Sequence, residues 1–194
     1  MEQTPERDLV PVFDFTRFER ARQWHGGFAT FRREVATLTD EEFAAWPIRG
    51  SYSDGWRVFP LRMPEPPPGL AADIARNRDR CPASAALLSD PKIVNCGFSR
   101  LLPGCHIYPH EDGPPPDVLR FHLGLQVNGP AGMRIAGRTL QWREGEAVVF
   151  DHGCVHEAGN LSGRTRDVLL VDFELTAAER AMVAQLRRDA ATSR

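Results

Sequence analysis

The sequence predicts a mainly β protein, a double-stranded β-helix (jelly roll) with flanking α-helices. Three observations carry that expectation. From Ile93 onward the chain breaks into some eight short apolar or alternating runs separated by turn residues. Before Ile93 it carries short stretches whose apolar residues recur near every 3.6 positions, the period of a helix. Its last stretch opens on a helix-capping signal.

Taken in order, Phe28, Phe31, Val35 and Leu38 predict a helix over 28–38. Asp40-Glu41-Glu42 opens a shorter one, stopped at Trp46-Pro47 because a residue before proline avoids the helical region. Residues 51–55 turn into a strand over 56–61. Pro64 to Pro68 holds four prolines in five residues and reads as a surface connection, not a boundary between domains. Helices are expected over 70–78 and 81–88. Strands follow over 94–102 and 105–110, with Pro103-Gly104 turning the chain between them. Leu119, Phe121, Leu123, Leu125 and Val127 alternate with Arg120, His122, Gly124 and Gln126, and the polar set is expected to line a cavity. Residues 133–142 read as a hairpin turning at Gly137-Arg138, and 147–150 and 167–173 as buried strands. Thr176-Ala177-Ala178-Glu179 is a capping box for a terminal helix reaching about residue 188. The expected organisation is one domain over 1–194: a helical and strand flank to about 92, a core over about 93–175, and a terminal helix over about 176–190.

Composition narrows the function classes. The chain has 194 residues, a net charge of −2 and 42% hydrophobic residues. No basic excess points to nucleic acid, and no run of about 18 apolar residues predicts a membrane span. The N-terminal eight residues are polar and acidic, unlike a signal peptide. Cys81, Cys96, Cys105 and Cys154 form no CxxC pair, so neither a zinc ribbon nor a disulfide framework is expected, and a reducing cytoplasm is.

The chemistry concentrates in Pro109-His110-Glu111-Asp112-Gly113 and Phe150-Asp151-His152-Gly153-Cys154-Val155-His156-Glu157. His110 and Asp112, two residues apart, would share a face of an extended strand. His156 follows His110 by 46 residues, and a jelly roll can bring the two to one mouth. Two histidines and one acid form the facial triad of non-haem Fe(II) oxygenases, which leaves coordination positions free. Arg166, ten residues past His156, offers a bidentate fork for a dicarboxylate. Asp151 and Glu157 are read as partners that orient His156. His25, His106 and His152 read as surface or hydrogen-bonded histidines, with His106 expected on the strand face of His110. Arg120 has Asp117 as its nearby acid.

The run Ser99-Arg100-Leu101-Leu102-Pro103-Gly104-Cys105-His106-Ile107-Tyr108-Pro109-His110 resembles the S-x-L-x-P-G-x-x-I-x-P-H segment of the aspartyl/asparaginyl β-hydroxylase family. Leu119-Arg120-Phe121-His122-Leu123-Gly124-Leu125 resembles its L-R-x-H-L-G-L strand, and Trp142, Gly145, Phe150-Asp151, His156-Glu157, Arg166 and Leu175-Thr176 follow in the family's order. The resemblance covers about residues 95–180, with Gly55-Trp56 and Cys81-Pro82 as a weaker extension. It implies hydroxylation dependent on Fe(II) and 2-oxoglutarate, with O2 as the second co-substrate. His110 and His156 would bind iron. Arg166 and Ser99 would hold the distal carboxylate of 2-oxoglutarate, His122 would sit beside its metal-binding end, and Arg120 would face a substrate carboxylate. The animal peptide hydroxylases of the family carry His-x-Gly where this chain has His110-Glu111-Asp112-Gly113, and another Arg where it has Val118. Either Asp112 is a ligand or Gly113 takes the family's carboxylate-free position.

The leading expectation is a dioxygenase hydroxylating an unactivated C–H of a small-molecule substrate: an amino acid or carrier-bound amino acid, with an Asp-like β-carbon first. The alternatives are a lipid acyl-chain hydroxylase of the same family, or a cupin-like module that binds a carboxylate without turnover.

Overall fold

The computed structural model describes residues 10–115 and 117–193. Eleven strands and five α-helices occur among them. The strands are β1 Val12–Phe13, β2 Ala44–Ala45, β3 Trp56–Arg62, β4 Ile93–Leu101, β5 His106–His110, β6 Val118–Gln126, β7 Ala131–Ile135, β8 Arg138–Gln141, β9 Ala147–Phe150, β10 His156–Asn160 and β11 Arg166–Glu174. The helices are α1 Glu19–Gly26, α2 Phe28–Val35, α3 Ala71–Arg80, α4 Pro82–Leu87 and α5 Ala177–Thr192.

Strands β4 to β11 form the jelly roll. β9, β6, β11 and β4 make the centre of a seven-stranded antiparallel sheet, extended by β1 on one edge and by β3 and β2 on the other. β5, β10, β7 and β8 make the facing four-stranded sheet. The period-two alternation of each strand then divides the molecule into two apolar layers. Phe121, Leu123, Val171, Phe173, Phe98 and Phe59 point away from the small sheet and pack against α1, α2 and α5 through Trp24, Phe31 and Val183. Leu101, Phe150 and Val168 point inward and meet Ile107, Met133, Ile135, Ala158 and Trp142 of the smaller sheet and its loops. Burying one such side chain contributes about 1.5–3 kcal/mol, so both layers are held without disulfides; the four cysteines are free and buried.

The polar set of β6 does turn inward: His122 is buried and Arg120 half-buried. Gly124 shares that face, and a Cβ there would collide with the carbonyl oxygen of Arg143, so the turn before β9 closes directly over the glycine backbone. Three strands upstream of residue 93 complete the large sheet.

Several boundaries differ from the sequence reading, each for a physical reason. α2 ends at Val35, and its period only continued into a turn through Leu38. The hairpin turns at Ala136-Gly137, one residue earlier than expected, because Ile135 pairs with Arg138. Both turn residues have positive φ, 42° and 79°. β10, with sequence His-Glu-Ala-Gly-Asn, contains no β-branched or large apolar residue and gave no strand signal. Its pairing with both β5 and β7 overrides propensity. The terminal helix has the expected reciprocal capping box between Thr176 and Glu179 and runs on to Thr192.

Candidate functional site

His110 ends β5 and His156 begins β10, and the two face each other directly across that antiparallel pair. The 45 residues between them in sequence run through β6, β7, β8 and β9, crossing to the large sheet and back before β10 pairs with β5. β5 carries a bulge between its pairings with His156 and Ala158. The bulge spends one extra residue around Pro109, which has no N–H to give a ladder. As a result Ile107 and His110, three apart, both point inward. His106 lies on the opposite, outer face, against Glu157 at 2.8 Å. The expected shared face of His106 and His110 is therefore corrected by the bulge.

Asp112 lies beyond the end of β5, not on it. Its side chain nevertheless reaches the histidines: Oδ1 is 3.4 Å from His110 Nε2 and Oδ2 is 3.9 Å from His156 Nε2. Ligand atoms of the three residues lie within 4.8 Å of one another, and the imidazole centroids are 4.3 Å apart. Each imidazole is oriented by its own chain. His110 Nδ1 donates to the Tyr108 carbonyl at 2.7 Å and His156 Nδ1 to the Cys154 carbonyl at 2.9 Å. A carbonyl only accepts, so both Nδ1 atoms carry the hydrogen and both Nε2 lone pairs face the same carboxylate. Cys154 thus does what was expected of Asp151 and Glu157. Asp151 instead accepts from Arg187, and Glu157 pairs with His106 and Arg134 outside the barrel.

Charges around the triad are ordered. Burial pulls the His156 imidazole down to about 4, leaving it neutral at pH 7. The hydrogen bond that a protonated Nε2 gives Asp112 raises the His110 imidazole, so a metal ion at Nε2 would take the place of that proton. Burial alone would raise the Asp112 carboxyl, but Arg120 and the neighbouring histidines hold it well below the usual carboxylate range. Arg120 is itself a bridge. Its Nε and Nη2 bond both oxygens of Asp172, directly opposite on β11, at 2.6 and 2.9 Å, and its Nη1 bonds Asp112 Oδ2 at 2.6 Å. Asp117 turns away to Arg180 at 3.5 Å.

A second centre lies deeper in the barrel. Arg166 is 2% exposed, and among the described residues no carboxylate pairs with it. Its guanidinium stacks 3.7 Å over Trp142, its Nη1 reaches the Ser99 carbonyl at 3.5 Å, and its Nε has no partner. Burial brings it down to about 9, so it remains a cation at pH 7. Successive ring contacts link it to the triad: Trp142 to His122 at 5.8 Å, His122 to Phe150 at 5.0 Å, and Phe150 to His156 at 5.9 Å. Both nitrogens of His122 are buried without a partner, and burial holds that imidazole well below its ordinary range. A buried cation without a carboxylate and a buried imidazole without a hydrogen-bond partner are each unfavourable in themselves.

Residues 26–175 match the family described as aspartyl/asparaginyl beta-hydroxylase. The chain belongs to that family. Among curated relatives, the ornithine lipid ester-linked acyl 2-hydroxylase of Rhizobium tropici is 31% identical over 175 residues, covering 84% of this chain and 60% of that protein. Aspartate beta-hydroxylase domain-containing protein 2 of Xenopus tropicalis is 28% identical over 148 residues, covering 70% of this chain and 38% of that one. The chain thus spans less than two thirds of either relative. Among solved structures, the Cnp3 cupin domain of Schizosaccharomyces pombe aligns over 76% of this chain and 77% of its own, at 7% identity and a TM-score of 0.44.

Within this hydroxylase family fold, the positions singled out in the sequence fall into two groups. His110, Asp112 and His156 converge at the mouth, with Arg120 behind Asp112. His122 and Arg166 sit in the interior, with Ser99 beside them accepting from Trp56 Nε1 at 3.2 Å. Gly113 is in the same loop as Asp112, with a φ of 62° that suits glycine. Sequence reasoning missed His152, which is buried and bonds Asp112 through Nδ1 at 3.2 Å. It also missed Asp172, 52 residues from the arginine it holds. No helix among the described residues is long and apolar enough to cross a membrane.

Proposed function

We propose that this chain is an Fe(II)- and 2-oxoglutarate-dependent hydroxylase whose substrate carbon lies in an apolar chain. The observation that carries the reading is the pairing of two unmatched donor sets in one barrel: a His110–Asp112–His156 triad at the mouth and a buried Arg166 without a counter-anion inside. The residues fit both groups. Two neutral-tautomer imidazoles and one carboxylate suit Fe(II) with open positions. Arg166 would hold the far carboxylate of 2-oxoglutarate, and His122 would supply a hydrogen bond to an oxygen nearer the metal. When bound, iron and keto acid supply the oxidising chemistry: O2 gives one oxygen to succinate, with loss of CO2, and one to the substrate C–H. The protein's part is to fix donors, hold the keto acid in one orientation and keep water out of the interior.

The substrate class follows from the groove beside Asp112. Its walls include Trp46, Trp56, Val58, Pro60, Met63 and Leu170, with Trp46 and Trp56 stacked at 4.8 Å. Arg120, expected to face a substrate carboxylate, is already matched by Asp172 and Asp112. An apolar wall beside a neutralised cation favours an acyl chain, the substrate named for the Rhizobium tropici relative. An amino-acid-derived substrate is the second reading, favoured by Asn95 and Arg120 on the groove floor.

The test is succinate release from 2-oxoglutarate with Fe(II) and O2, measured with acyl-lipid substrates and with free amino acids in parallel. The reading expects succinate coupled to an acyl substrate. Coupling to amino acids alone would move the substrate class to the second reading. Ligand binding without succinate from either set would mean a binding module.

A further inference from the structure

We infer that His152 is a positioning residue that holds the Asp112 carboxylate in its ligand orientation. The inference rests on the triad's reading as a metal centre and concerns a residue outside it.

Asp112 needs such support. It lies past the last residue of β5, in an irregular stretch before β6 that contains Gly113 at positive φ. A ligand on such a loop has freedom that a strand would remove. His152, in the turn between β9 and β10, grips it twice. The Asp112 N–H donates to the His152 carbonyl at 3.2 Å, and His152 Nδ1 donates to Asp112 Oδ2 at 3.2 Å. Arg120 Nη1 bonds the same Oδ2. Two donors on one oxygen fix rotation about the carboxylate and leave Oδ1 facing His110 Nε2. The ring is 4% exposed, and its Nε2 has no partner. Burying an imidazole with one unmatched nitrogen is unfavourable in itself, so the Asp112 contact is what this side chain gains in that place. The turn carrying His152 also leads into His156, so one residue ties the loop of one ligand to the strand of another.

Cobalt(II) titration of the metal-free protein tests this without turnover, using His152→Asn and His152→Leu. The two replacements are nearly equal in size, and only Asn retains an N–H to donate. The asparagine variant is expected to keep Co(II) affinity within about threefold. The leucine variant should lose about 10-fold or more, the range for second-sphere partners, and its visible Co(II) spectrum should approach that of Asp112→Gly. Adding His152→Leu to Asp112→Gly should cost no further affinity, because the partner is already gone. Wild-type affinity and spectrum in His152→Leu, equal losses in both variants, or an additive loss in the double variant would each overturn the inference. If the leucine variant does not fold, a tenfold loss in His152→Asn overturns it alone. Wild type failing to bind Co(II), or His156→Ala binding as wild type does, is a separate result that removes the metal centre itself.

Discussion

Arg166 shows how much one residue can say. It is the largest of the side chains buried below 2% or so, it is charged, and it has an aromatic face and a main-chain carbonyl in place of a carboxylate. Stacking on Trp142 returns about 2 kcal/mol when desolvated, which is less than an unpaired buried charge costs. In the function proposed above, the far carboxylate of 2-oxoglutarate would close that gap. Arg166→Ala is therefore expected to raise the 2-oxoglutarate requirement about 30-fold or more, the equivalent of about 2 kcal/mol, while Fe(II) affinity stays near wild type. Calorimetric titration with 2-oxoglutarate checks it, and an unchanged affinity would place the anchor elsewhere. At this scale the convergence of His110, Asp112 and His156 was legible from motif context, the His-x-Asp spacing and the family's order of residues, and not from residue type alone. The partners were not. Arg120 finds Asp172 rather than the nearby Asp117, and Asp112 finds His152, 40 residues away, because register across strands decides contacts and sequence distance does not.

At the scale of elements, strands rich in branched and aromatic residues were visible, and β10 was not. His-Glu-Ala-Gly-Asn forms a strand because β5 and β7 flank it and supply a ladder on each side. The bulge in β5 was equally hidden, although it decides that His110 rather than His106 faces inward. Turns also carry local strain that sequence pattern does not report. Ala136 sits at a φ of 42° in the β7–β8 turn, followed by Gly137 at 79°. Two-residue turns with both φ positive favour Asn-Gly, and a left-handed alanine costs about 1 kcal/mol. Ala136→Asn is expected to stabilise the protein by about 0.5–1 kcal/mol, a rise of about 1–4 °C in Tm for a chain of this size. A thermal scan showing no rise would mean the turn tolerates alanine without strain.

For the molecule as a whole, a chain of opposite charges running Asp172, Arg120, Asp112 ties the large sheet to the loop that follows β5. Burial alone would raise the Asp172 carboxyl, but Arg120 more than offsets this and the net shift is downward. A carboxylate whose folded pKa is depressed contributes stability that is fully present above its unfolded value, about 3.9. That contribution is lost as pH falls through the lower folded value. Removing one partner of a buried pair costs on the order of 3 kcal/mol, so Asp172→Asn should be less stable by about that amount at pH 7. The deficit should shrink below about pH 4 as wild type loses the same contribution. Urea midpoints from pH 7 down to about pH 3 read this directly, and a deficit independent of pH would show that Asp172 matters by packing alone. The jelly-roll class was legible from turn spacing. The grouping of β9, β6, β11 and β4 against β5, β10, β7 and β8 came from pairing alone.

The measurement that bears most directly on the account is an anaerobic titration of the metal-free protein with Fe(II) and 2-oxoglutarate, followed by the visible absorption of an Fe(II)–keto-acid chelate. Wild type should develop the absorption at one equivalent of each. His156→Ala should develop none, and Arg166→Ala should develop it only at about 30-fold higher 2-oxoglutarate. A chelate spectrum that survives in His156→Ala, or no chelate in wild type, would contradict the assignment of the His110–Asp112–His156 mouth as the iron site.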